Sequence, residues 1–370
     1  MQRASRFHMG MNMVKISKDI SAQSAYYMVI DHKNDLTKKQ MDIVKNAIKN
    51  SEYAIKFAIH TRRPFPEGED RIAKNGVDSY KYAYLALRGR FEKGEEAIAK
   101  DALMSLEYAE RVLKGNRFLA GEPAIAKYGL TAALYVEKIL KRDFPEAEAA
   151  IARKSHTSLQ YAEALGKAFP AGEKSIAEYS HDSLRYAVNV MKCRISKFEP
   201  VIFSEPHTAL PYALIFDIKD LPPTAVASIA KNSWSAYLYA TCIIKGPFKI
   251  AEKVLAKGDR YDDKFIMYHR YLETGGTDPT EANHRAMTIR TYFDSKISIP
   301  KIQEIESVIA GSAIESYLYA GDTEKRFELG EPAMKKVPAI WRNYQKMLKD
   351  IERRRDKYNH EDYNDDCEDD

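Results

Sequence analysis

Cysteine is scarce in this chain: three in 370 residues, Cys193, Cys242 and Cys367, far apart and without a CxxC pair. That spacing excludes a disulfide framework and argues against a cysteine-based zinc site, and it points to a reducing compartment. Long apolar runs are also missing. No stretch approaches the roughly 20 residues of a membrane span, so no membrane association is expected. Met1 to Lys15 carries Arg3, Arg6 and several Met where a signal peptide would need an apolar core. The expectation is a cytoplasmic protein. Gly (17) and Pro (15) are too few for a collagen-like or low-complexity chain, and 45% hydrophobic residues are too many for a disordered one.

Signatures of chemistry are absent as well. No Walker loop, dinucleotide fingerprint, HExxH, nucleophile elbow or kinase motif occurs, and the Gly275–Gly276 pair reads as a linker. No enzyme activity, cofactor or metal is therefore expected. Charge of one sign is short only locally. Glu361 to Asp370 holds seven acids, Glu361, Asp362, Asp365, Asp366, Glu368, Asp369 and Asp370, and no base. The whole chain carries +5; setting those seven aside leaves 46 acids against 58 bases, a body of about +12 that favours an acidic partner or a polyanion.

What the chain has in quantity is repetition, with a period of about 26 residues. Ile16, Ile43, Ile72, Ile98, Ile125, Ile151, Ile176, Ile202, Ile229, Leu255, Ala282, Ile309 and Met334 form one column. Ten residues after each stands an aromatic: Tyr26, Tyr53, Tyr82, Tyr108, Tyr135, Tyr161, Tyr186, Tyr212, Tyr239, Phe265, Tyr292, Tyr319 and Tyr344. A partial column of Phe65, Phe91, Phe118, Phe144, Phe169, Phe248 and Phe327 precedes the isoleucines by seven. The spacing predicts two short helices per repeat, one on GExxIAK and one on SxxYAxxxL, each two or three turns long. Asp78, Thr131, Thr157, Asp182, Thr208, Ser235 and Thr288, four residues before the aromatic, are expected to cap the second helix. The preceding apolar residue, as in Val77, Leu130, Trp234 and Met287, is expected to staple onto the aromatic.

Helices this short are marginal alone, so burial must come from stacking on neighbours. The expected fold is all-α, an α-solenoid of about thirteen two-helix repeats. Its parts would be an N-terminal extension over 1–12, the repeat domain over 13–345, a polar capping helix over 346–358 and an acidic disordered tail over 359–370. The GExxIAK and SxxYA segments, with an RFPEGE-like link, resemble short helical repeats of phage and other viral proteins. The chain is also loosely similar to leucine-rich-variant and HEAT-like α-solenoids. The resemblance implies a viral or phage origin, a host-cytoplasmic location and a scaffold, with no reaction attached.

His156, His181 and His207 recur at one repeat position. Neighbouring repeats lie about 8 to 10 Å apart, too far for one zinc ion to be shared, so these histidines read as staples over the tyrosines. Lys74, Lys100, Lys127, Arg153, Lys231 and Lys257 belong to a basic column, with Lys18, Lys45 and Lys336, at the end of the first helix. A second basic series, Arg88, Lys114, Lys141, Lys167, Lys192, Lys245 and Lys325, ends the second. The negative end of the helix dipole is a sufficient reason for both, and the lesser alternative is that one column forms a stripe that contacts phosphates. The glutamates three residues before the isoleucines complement the positive helix start, and nine equivalent carboxylates do not make an acid–base pair. Asp262 and Asp263, with His269, His284, Arg285 and Arg290, form the one irregular polar cluster. Two functions follow as expectations: a non-enzymatic scaffold with a protein partner, or a nucleic-acid-binding solenoid using the basic columns.

Overall fold

The computed structural model describes residues 16–32, 36–255, 263–292 and 300–364. Every element among them is helical and no strand occurs, as an all-α chain requires. The chain divides into two compact units, Met1–Ile176 and Ala177–Asp370, a boundary inside the 13–345 span. The expected 1–12 extension lies outside the described residues.

The first unit opens with three ordinary helices, Ala22–His32, Lys38–Ile48 and Tyr53–Thr61. Thr37 and Gln40 start the second with reciprocal side-chain-to-backbone bonds. From residue 66 the local structure changes to a shorter recurring segment. Pro66–Gly68 makes one 3-10 turn, Glu69–Ile72 one α-turn, and Gly76–Lys81 an α-helix that widens into a π-helix over Tyr82–Leu87. The same succession recurs over Glu92–Val112 and Leu119–Leu140. The first helix of each segment is thus mostly a single turn, shorter than its spacing predicts. A serine three residues before the column tyrosine helps end it: Ser79, Ser105 and Ser158 donate to the carbonyls of Ile72, Ile98 and Ile151 at 3.1, 3.0 and 3.2 Å. Those carbonyls would otherwise accept the next helical N–H.

The caps sit elsewhere than expected. Asn75, Asp101, Asn232 and Ser312, seven residues before the tyrosine, accept the N3 backbone N–H of the second helix. Asp78 and Ser235 supply that N–H. Thr157 and Thr208 donate instead to the carbonyls of Ile151 and Ile202 at 2.6 Å. An extended residue in the connecting turn is where a side chain can curl onto N3, and four residues before the tyrosine the backbone is already helical.

The aromatic columns interlock through hydrogen bonds that close each segment on itself and ring contacts that reach the next. Phe91 donates its backbone N–H to Tyr108 Oη at 3.0 Å, Tyr108 donates to Glu95 at 2.9 Å, and Arg90 holds the same carboxylate. Phe118, Tyr135, Glu122 and Arg117 repeat this arrangement. Phe65, Tyr82 and Glu69, and Phe144, Tyr161 and Glu148, repeat it without the arginine. Each phenylalanine ring also meets the previous tyrosine: Tyr82–Phe91 at 4.8 Å, Tyr108–Phe118 at 5.0 Å and Tyr161–Phe169 at 4.8 Å, all edge-on. A buried hydroxyl with two partners and an edge-on ring contact is worth several kcal/mol at most, but the arrangement recurs, with Tyr135–Phe144 tilted at 6.0 Å instead of edge-on.

Two column assignments change in the first unit. Tyr26 and Tyr53 are only half buried and pack on each other at 5.4 Å. Phe57 takes the column place, buried against Phe65 at 4.7 Å, because Tyr53 begins its helix and cannot reach the next layer.

The π-turns account for part of the uneven period. Where the helix stays α throughout, as in Ser155–Leu165, the left-handed residue that ends it, Gly166, follows Tyr161 by five. Where it widens, Arg88, Lys114, Lys141, Lys192 and Lys245 follow their tyrosines by six, all with φ near +50°. One extra residue is absorbed without moving the tyrosine or the next phenylalanine.

In the second unit the same contacts hold Tyr212, through Ile195, Glu199 and Arg194, and Tyr344, through Phe327. Between them the pattern departs. Position 222, which would donate to Tyr239, is proline and has no N–H. Phe265, at the usual spacing, is half buried and has no hydroxyl to accept, and Tyr268, three residues further on, takes the column place and accepts the Phe248 N–H at 2.9 Å. The side chain of Tyr292 lies outside the described residues. Tyr319 receives Arg290 and donates to Glu306 at 2.5 Å. The last helix runs over Pro338–Asn364, longer at both ends than the expected 346–358, and it includes the start of the acidic tail. Among the described residues no left-handed one follows Tyr344 to stop it.

Candidate functional site

Lys74, Lys100, Lys127 and Arg153 stand in the turns between the first and second helices of four consecutive segments of the first unit, and all four are exposed. The turns are brought together by glycine. A Cβ on Gly76 would stand 2.7 Å from the Ala97 carbonyl oxygen, and one on Gly129 2.5 Å from that of Ala150. The start of each of these second helices therefore backs onto the end of the next first helix, two or three residues before the next base. Lys100 pairs with Glu96 at 2.8 Å, whereas Lys74, Lys127 and Arg153 form no ion pair with any described residue. Lys231 is exposed in the equivalent turn of the second unit. Lys257 lies outside the described residues.

The same edge carries apolar side chains. Val77, Leu103 and Leu130, five residues before the column tyrosines, are 39, 53 and 52% exposed. Tyr128, beside Lys127, is 61% exposed. The expectation that these positions staple onto the tyrosines is corrected: a residue at the second helical position points along the outside of the first turn, and the ring is already covered by the next phenylalanine. His156, His181 and His207 occupy this position and are exposed for the same reason. Trp234 packs instead on the ring of His284 at 5.9 Å, with the Lys264 ammonium 4.3 Å from its own ring. No group of His, Cys, Asp or Glu among the described residues has the arrangement of a metal site.

The glutamate column has more to do than complement helix dipoles. Glu95 is held below the ordinary carboxylate range chiefly by the Arg90 hydrogen bond, against the effect of burial. Glu331 is lowered in the same way by Arg326 and then Lys335. Burial pushes the hydroxyls of Tyr135, Tyr161 and Tyr212 up to about 12. Each of these carboxylates and hydroxyls is held by hydrogen bonds within its own repeat.

The irregular polar cluster separates into unlike parts. Asp262 lies outside the described residues. Arg290 serves Tyr319 and Glu306, and His269 rests on Phe265. Arg285 is buried beside Glu281, itself fully buried, whose carboxylate accepts from Tyr237 at 2.8 Å. Tyr237 and Glu281 were missed by the sequence reading, although the doubled tyrosine Tyr237–Tyr239 is a visible departure from the repeat. No described helix is long and apolar enough to cross a membrane.

No protein-family model, curated protein or solved structure matches this chain.

Proposed function

We propose that this chain is a non-enzymatic protein-binding scaffold, an α-solenoid whose turn edge in the first unit receives an extended partner segment carrying acidic and apolar side chains. The observation behind this reading is the pairing, at successive turns, of an exposed base with an exposed aliphatic residue: Lys74 with Val77, Lys100 with Leu103, Lys127 with Leu130. Recurrence about every 26 residues along stacked turns suits a partner lying along the edge. The polar groups that could do chemistry are spent on the Tyr–Glu–Arg contacts, which favours binding over catalysis.

The runner-up is a nucleic-acid-binding solenoid. The bases would serve it, but aliphatic side chains between them would not, since phosphate contacts need donors only. Affinity capture with the full chain, with and without nuclease, compares the wild type with a Leu103→Asp, Leu130→Asp variant that retains its helical circular dichroism. A protein retained after nuclease by the wild type and lost by the variant supports the scaffold. Disappearance of every co-purifying species on nuclease treatment rejects it in favour of nucleic acid.

A further inference from the structure

Burying an arginine without hydrogen-bonding it is costly, and Arg285 is 6% exposed with little to bond to. Of its five N–H donors, one reaches an acceptor, the Thr241 carbonyl at 3.3 Å. Its Nη2 stands 3.4 Å from Glu281 Oε2, yet that oxygen and Arg285 Nε both lack a hydrogen-bond partner. The pair is an electrostatic contact with unused donors. The guanidinium lies over the ring of Tyr271 at 4.9 Å.

Arg285 and Tyr271 line a cavity of about 260 Å³ inside the second unit. Thr241, Cys242, Ile305 and Val308 supply further wall, and Lys245 stands at the exposed rim, in a 3.4 Å ion pair with Glu304. Gly276, at φ +79°, keeps the backbone close: a Cβ there would come 2.5 Å from the Tyr271 ring. The volume falls a little short of the roughly 300 to 1,000 Å³ of drug-sized sites, so a small ligand is indicated. Among the described residues this stretch is where buried polar atoms without partners gather, at Glu281, Asn283 and Arg285. Of these three, Arg285 lines the cavity, and its unused Nε–H donor calls for an acceptor.

We propose that this cavity binds a small organic carboxylate, its anionic oxygens on Arg285 and Lys245 and its apolar body against Tyr271, Ile305 and Val308. A carboxylate matches the planar donor edge of arginine, and the aliphatic wall gives an apolar body somewhere to go. Glu281, behind the guanidinium, has its carboxyl raised by burial, which weakens the competition it offers to an incoming anion.

The test uses the full chain with sodium benzoate as probe, by isothermal titration and thermal denaturation, against inorganic phosphate and sodium acetate at matched ionic strength. Saturable one-to-one binding of benzoate with a raised melting midpoint is expected, with acetate and phosphate at least about tenfold weaker. Arg285→Gln should abolish it, and Lys245→Ala, a rim substitution that spares the interior, should weaken it severalfold. If Arg285→Gln fails to fold, Lys245→Ala decides. Absence of saturable benzoate binding, phosphate binding as tight as benzoate, or wild-type affinity in the deciding variant overturns the proposal.

Discussion

Phe91 joins two tyrosines: its backbone N–H bonds the hydroxyl of Tyr108 at 3.0 Å while its ring stands edge-on to Tyr82 at 4.8 Å. The hydroxyl is therefore a structural group. Tyr108→Phe strands a buried N–H and removes a partner from Glu95, and should cost about 1 to 3 kcal/mol in urea denaturation. Tyr239→Phe is the control. Position 222 is proline and offers that hydroxyl no N–H, so the loss there should be well under about 1 kcal/mol.

Gly94 owes its place to a close approach. An added Cβ would stand 2.6 Å from the Ser79 side chain and 2.5 Å from the Phe91 ring. Gly94→Ala should destabilise by about 1 to 3 kcal/mol through overpacking, read as a lowered denaturation midpoint with an unchanged slope. Ala147 and Ala251 show that one methyl is tolerated where the facing side chains differ.

Arg88 holds φ +51°, is exposed and makes no ion pair with any described residue. A non-glycine residue there carries left-handed strain that exceeds the entropy glycine costs. Arg88→Gly should stabilise the chain by about 0.5 to 1 kcal/mol, raising its melting temperature; the helix that already ends on Gly166 provides the precedent.

Stability should fall at both ends of the pH scale, for opposite reasons. Glu95 and Glu331 have folded-state values below their ordinary 4.5, so their contribution is present above that pH and is lost as pH falls through the lowered values. Tyr135, Tyr161 and Tyr212 are raised from 10.0 to about 12, so their contribution is present below pH 10 and is lost as pH climbs toward 12. Absorbance at the phenolate band should show these tyrosines ionising late and together with loss of helical circular dichroism. Titration of every tyrosine near pH 10 in the folded chain would contradict the buried contacts.

The regular stretch from Phe65 to Phe169 was legible because its residues answer to local rules: apolar spacing, a serine and a glutamate at constant offsets, a glycine where backbones meet. The candidate edge was legible in part. Lys74, Lys100, Lys127 and Arg153 were identified as a column, but Val77 and Leu130 were assigned inward, since an apolar residue beside an aromatic reads as packing until the next phenylalanine is seen covering that ring.

The order of residues by itself determined that this chain is helical, that it recurs about every 26 residues, and that its column aromatics face inward across the regular stretch, because each of these follows from which side of a short helix is apolar. The tertiary structure alone decided that Phe57 and Tyr268 replace Tyr53 and Phe265, that Glu95 and Tyr108 serve each other, and that Tyr237 meets Glu281 across 44 residues. A hydroxyl or a buried charge takes whichever partner packing delivers. Over such separations that choice depends on how whole layers settle, which no local periodicity encodes.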